Sequence, residues 1–170
     1  MKVSMKWLKE YADIPMTAEE YESRMIMTGT GVEGTEFLGA ELENVVVGKV
    51  LTCAAHENSD HLHVCTVDVG EAEPLQIVCG APNVAVGQRV AFAKAGGRVV
   101  AGEIGKAVVA GYESEGMCCS EAELGISDDK SGLMSIESDA PCGTDLKEIY
   151  PIDDIIFEVD NKSLTIRPDL

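Results

Sequence analysis

Apolar positions follow two different periods along this chain. In the first forty residues they recur at helical spacing. Ser4 stands as an N-cap before Trp7, Leu8 and Tyr11, which share one face, and the run stops near Asp13 and Pro15. Thr17 and Glu20 then make the T-x-x-E capping box of a second helix, which passes through Met25 to Thr28 with Gly29 as its C-terminal residue. Both helices are too short to be stable alone and need a sheet to cover. From Val45 the period changes to two, and the alternation predicts strands over 45–55, 63–69, 75–78 and 90–95, with a fifth near 106–109. Two further apolar stretches, 32–38 and 155–159, lie outside this block and lack partners within it, so the economical solution pairs them with each other.

Five strands over about a hundred residues with Gly-rich corners predict a small closed barrel, the OB-fold being the common five-stranded form, with an open sandwich as the alternative. The expected fold is therefore mainly β with an α+β part. Residues 1–40 and 151–170 form a small split α/β domain, and the barrel of residues 41–150 is inserted in it. A chain of 170 residues with 45% apolar residues can bury cores of that size. The longest apolar runs fall short of a membrane span, and the lysines at the start have no apolar signal core behind them, so a soluble, cytoplasmic protein is expected.

Three motifs dominate the middle of the chain. His56-Glu57-Asn58-Ser59-Asp60-His61-Leu62-His63-Val64-Cys65 is a polar turn leading into a strand, and Gln76 to Val84 is a strand that stops at Gly80-Ala81-Pro82-Asn83. Gly111 to Ser120 carries Tyr112, Ser114 and the vicinal Cys118-Cys119. Together, and in this order, they resemble the tRNA-binding OB domain of several aminoacyl-tRNA synthetases and their free-standing relatives. The ends narrow the resemblance. Met1-Lys2-Val3-Ser4 with Trp7-Leu8, Thr28-Gly29 followed by Gly31-Val32-Glu33, and Phe157 to Leu164 with Arg167-Pro168-Asp169 are similar to the N-terminal part of the bacterial phenylalanyl-tRNA synthetase beta subunit.

That resemblance implies a non-catalytic, tRNA-contacting piece of a larger subunit. In the family the intact subunit joins a catalytic alpha subunit in an α2β2 enzyme that charges tRNA with phenylalanine, using ATP and magnesium. This segment itself is expected to hold no cofactor and no catalytic site. The chain departs from the family pattern at Glu57, where a Pro is usual, and at His61, where a basic residue is usual, and both changes lower local positive charge.

Charge bears on that reading. The net charge is -17, and residues 39–150 hold 7 basic against 18 acidic residues. Phosphate binding depends on Lys and Arg, so the stretch from Arg89 to Gly111, with Arg89, Lys94, Arg98 and Lys106 against Glu103, is the expected contact region. Arg89, Lys94 and Arg98 are the candidate phosphate contacts, with Gly96-Gly97 shaping a loop between the last two. Asn58, His63 and Ser114 are candidates for reading sugar or base edges. An acidic body could instead serve as an assembly element with little RNA contact.

The remaining motifs carry plainer readings. His61, His63 and Cys65 alternate on one strand, but no CxxC or HxxxH completes a zinc set. Cys53, Cys65 and Cys79 fall on different strands and read as reduced, small core residues, Cys53 sharing its parity with Val47 and Leu51. Cys118-Cys119 has no nearby His to act as base. The acidic run from Glu113 to Asp129 reads as a solvated face around a short helix at 121–125. No P-loop or strand-linked GxGxxG is present.

Overall fold

The computed structural model describes residues 1–160. In chain order its elements begin with β1 (Lys2–Ser4), α1 (Met5–Tyr11), α2 (Ala18–Met27) and β2 (Gly31–Leu38). They continue with β3 (Glu43–Ala55), β4 (His63–Asp68), β5 (Leu75–Cys79), β6 (Arg89–Val99), β7 (Gly102–Ile104) and β8 (Ala107–Val109). Last come β9 (Tyr112–Ser114), β10 (Gly116–Cys118), α3 (Leu146–Ile149) and β11 (Asp154–Asp160). Strand is its predominant regular structure. The chain divides into two units, Met1–Ala40 with the segment returning from Ile152, and Glu41–Pro151.

The first unit is a three-stranded antiparallel sheet in the order β1-β11-β2, covered by two helices. Ser4 Oγ accepts the Trp7 N–H at 3.0 Å and so caps α1, while its hydroxyl donates to the Asp154 carboxylate. The capping box of α2 is complete, since Thr17 Oγ1 accepts from the Glu20 N–H and the Glu20 carboxylate accepts from the Thr17 N–H. Helix α2 has no fully buried residue of its own. It is held through Tyr21, whose ring lies 5.0 Å from that of the fully buried Phe157. Strand β1 has no signal in the sequence, because three residues are too few to display a period. Its ladder with β11 is what defines it, with Val3 opposite Phe157.

The second unit is a curled antiparallel sheet in the order β10-β6-β3-β4-β5, with β7 paired to β6 and β8-β9 forming a separate hairpin. Its 13-residue strand β3 pairs along one part with β6 and along another with β4, which lets one strand turn the sheet's corner. The far end, β5, then meets the β9–β10 segment. The Glu115 N–H donates to Gln76 O at 2.9 Å, and the Val78 N–H donates to Ser114 Oγ at 3.2 Å. Phe92, Val50, Val67, Ile77, Val90 and Cys65 fill the interior.

Three local expectations are corrected. Leu51, assigned to the core face with Cys53, is 39% exposed because the β3–β4 register slips between Val50 and Thr52. A bulge reverses side-chain parity, which alternation alone does not reveal. Gly96-Gly97 does not form a loop but lies inside β6, where Gly96 at φ +82° bends the strand and a Cβ on Gly97 would stand 2.6 Å from Glu43 O. Residues 121–125 make a turn rather than a helix. Ser120 and Glu123 cap it reciprocally, but Gly125 at φ +70° ends it at once.

Gly116 is required by packing, since a Cβ there would lie 2.5 Å from Phe92 Cζ and 2.6 Å from Ala93 O. The expected outcome for Gly116→Ala is a loss of roughly 1–3 kcal/mol from overpacking against a ring that cannot move away, measured by urea denaturation. A midpoint equal to that of the unsubstituted chain would contradict this packing.

Candidate nucleic-acid interface

The six candidate contacts differ in burial and in the bonds they already make. Ser114 is buried, and its hydroxyl accepts from the Val78 N–H and donates to Gly116 O, so both of its capacities are used at the sheet seam. Arg89 is half-buried, and its Nη1 donates to the carbonyls of Ser138 and Ala140, each at 2.6 Å. That guanidinium ties the 138–140 segment to β6. Asn58 is exposed in the turn before β4. His63 is half-buried between Ala55 and Cys79 on the neighbouring strands, and its buried Nδ1 has no hydrogen-bond partner among the described residues.

His56, at the head of that turn, is 4% exposed. Its Nδ1 accepts the Asn58 N–H at 3.0 Å, which assigns the ring hydrogen to Nε2, 3.1 Å from Ala110 O. Ala110 and Gly111 both have positive φ, as a two-residue turn of the primed type requires. The ring of His56 also meets Tyr112 edge-on at 5.0 Å. One imidazole therefore fastens the tip of the β8–β9 hairpin to the polar turn. His61 lies outside this arrangement, with Nδ1 3.3 Å from Ser59 Oγ.

The cations of the expected contact region are mostly engaged. Lys94 Nζ is 2.8 Å from a Glu71 carboxylate oxygen, and Lys106 Nζ is 2.5 Å from one of Glu115. The Glu115 carboxylate, in raising the Lys106 ammonium above its ordinary value, is itself held below the usual carboxylate range. Arg98 is exposed and has no ion pair or hydrogen-bond partner among the described residues. Glu71 and Glu115 carry no signal in the sequence as partners of these lysines, because pairing across hairpins depends on register.

The thiols are structural in character. Burial pushes Cys65 up to about 12, with the neighbouring Cys53 thiol adding to the effect. It also pushes Cys119 up to about 12, and raises Cys79 and Cys118. Among the described residues no group of three or more His, Cys, Asp or Glu could hold a metal ion, and no helix is long and apolar enough to cross a membrane.

Residues 45–145 match the family model described as a tRNA binding domain. The chain belongs to this tRNA-binding domain family. It is also 44% identical over 168 residues to the phenylalanine–tRNA ligase beta subunit of Bacteroides thetaiotaomicron, a match that spans 94% of this chain and 20% of that subunit. The beta subunit of Porphyromonas gingivalis is 45% identical over the same length, with the same shares covered. The likeness to the synthetase beta subunit, read from both ends of the sequence, is thus borne out. The chain spans about one fifth of the length of these curated relatives. A solved MetRS related protein from Pyrococcus horikoshii aligns at a TM-score of 0.45 and 20% identity, over 61% of this chain and 87% of that one.

The buried thiols give a direct check on the family domain's interior. Only the thiolate reacts with iodoacetamide, and a thiol titrating at about 12 is roughly one ten-thousandth thiolate at pH 8, against about a quarter for an ordinary one. In the folded protein at pH 8, Cys65, Cys118 and Cys119 are expected to stay unmodified by mass spectrometry, and all to react in urea. Modification of Cys119 in the native state would contradict the packing described.

Proposed function

We propose that residues 45–145 bind tRNA through the second half of β6 and the adjoining β7–β8 connection, with Lys94, Arg98 and Lys106 as phosphate contacts. Membership of the tRNA-binding domain family over that same span is the observation that carries the reading. The exposure of Arg98, without a partner among the described residues, supports it, and so does the ease with which Lys94 can change partners. An exposed ion pair such as Lys94–Glu71 contributes only about 0.2–1 kcal/mol, so exchanging the carboxylate for a phosphate costs little. Asn58 keeps its place as a candidate for sugar or base contact beside the hairpin fastened by His56. Arg89 and Ser114 we assign to the framework, since Arg89 Nη1 and the Ser114 hydroxyl are already bonded within the fold.

We read the curled sheet of β3, β4, β5, β6 and β10 as a five-stranded OB barrel, and the two units as a barrel inserted into a split α/β domain. In the larger subunit to which the similarity points, this segment holds no cofactor of its own. It serves an α2β2 phenylalanyl-tRNA synthetase in the cytoplasm, whose alpha subunit charges tRNA with phenylalanine using ATP and magnesium. A second reading, an assembly element with little RNA contact, is favoured by the net charge of -17 and by the pairing of Lys94 and Lys106 with carboxylates.

Titration with tRNA at several salt concentrations separates the two. Replacing Lys94 and Arg98 together by Ala is expected to weaken binding and to reduce the slope of log K against log salt by about 0.7–0.9 for each phosphate that is no longer neutralised. An unchanged slope and affinity would rule out this region and favour the assembly reading.

A further inference from the structure

The two lysine–glutamate pairs form one cluster. Lys94 stands opposite Gly116 in the β6–β10 ladder, next in sequence to Glu115. Lys106 immediately precedes β8, whose first residue, Ala107, stands opposite Ser114 on the other side of Glu115. Glu71 arrives from the turn between β4 and β5, pairs with Lys94, and is close enough to add to the charge felt by Lys106. Beside Lys106 and Glu115 opens a groove of about 140 Å³, also lined by Ala107, Val108 and Glu113.

Stability does not explain this cluster. Its side chains are between 27% and 69% exposed, and ion pairs in that setting add little to folding. The pairs do have a chemical consequence, because a carboxylate offers an ammonium the same anionic oxygens that a phosphodiester does, and Lys meets either one as a point charge. Each glutamate is tethered beside its lysine, so it competes with an incoming phosphate at high effective concentration.

We propose that Lys94 and Lys106 form a self-masked phosphate site, in which the Glu71 and Glu115 carboxylates occupy the two ammonium groups until the phosphates of an RNA backbone displace them. This rests on the tRNA-binding reading above and assigns its regulation to two acidic residues. Weak anions that present one phosphate at a time lose to the tethered carboxylates, whereas a folded RNA presenting phosphates in fixed positions displaces both together. The mask thus favours a shaped polyanion over an unstructured one, on a body whose charge already opposes both.

The experiment is titration of the whole chain with tRNA at low salt, comparing the unsubstituted protein with three double variants, each checked for an unchanged thermal transition. Glu71→Gln with Glu115→Gln is expected to tighten binding roughly 2- to 30-fold, the range that two exposed ion pairs span, with the gain shrinking as salt screens the pairs. Glu137→Gln with Glu148→Gln removes the same charge from exposed positions elsewhere and is expected to gain less. Lys94→Ala with Lys106→Ala is expected to weaken binding. Equal gains in the two glutamine variants, with binding still weakened in the lysine variant, would overturn the mask and leave the tRNA reading standing. Unaltered affinity in the lysine variant would overturn both. Binding found only after Glu71 and Glu115 are neutralised would support the mask directly.

Discussion

The close passage of the Gly116 backbone over the Phe92 ring is the interaction on which the larger unit depends. With a Cβ only 2.5 Å from the ring, residue 116 would strain the ladder that β10 makes with β6. Without that ladder, β5 would have no neighbour for the Gln76 carbonyl or the Val78 amide. The cost would be a half-buried edge with unpaired backbone groups, each worth at most about 1–3 kcal/mol. The same seam sorts the residues on either side. Ser114 turns inward and is consumed by two internal hydrogen bonds, Cys118 enters the core, and Glu115 is left on the surface beside Lys106.

Charge in this unit is arranged locally rather than globally. A net charge of -17 suggests repulsion of any polyanion, but exposed charges more than about 8 Å apart are largely screened at physiological salt. What a phosphate meets is decided within a few side chains. There Lys94 and Lys106 are each paired with one glutamate and Arg98 stands without a partner among the described residues, so a phosphate would have to displace a carboxylate at either lysine and none at Arg98.

Several polar residues of the kind that bind ligands are used to hold loops. Arg89 clasps two carbonyls of the 138–140 segment, His56 fastens the β8–β9 tip, and the Asn83 side chain both accepts from the Leu133 N–H and donates to Leu133 O. Long connections carry backbone groups that need partners once they cover a sheet. A sequence shows the same Arg, His and Asn whether they serve a loop or an RNA, and only their bonds distinguish the two uses. This is why six candidate contacts read from residue type divide into exposed, half-buried and fully engaged positions in the fold.

Short-range rules determined a good deal by themselves. The N-cap at Ser4, the capping box of Thr17 and Glu20, the alternation of β4 and β5, and the burial of Cys65 and Cys79 all depend on neighbours within a few residues, so the sequence alone contains them. The family, too, was legible from motif order and from both ends of the chain. Tertiary structure decided what depends on register between distant strands. It exposed Leu51 through a bulge, made a bend of Gly96-Gly97, created β1 by pairing it with β11, and joined Lys94 to Glu71 across 23 residues. Register is fixed by the packing of a whole sheet at once, and no local stretch of sequence holds that information.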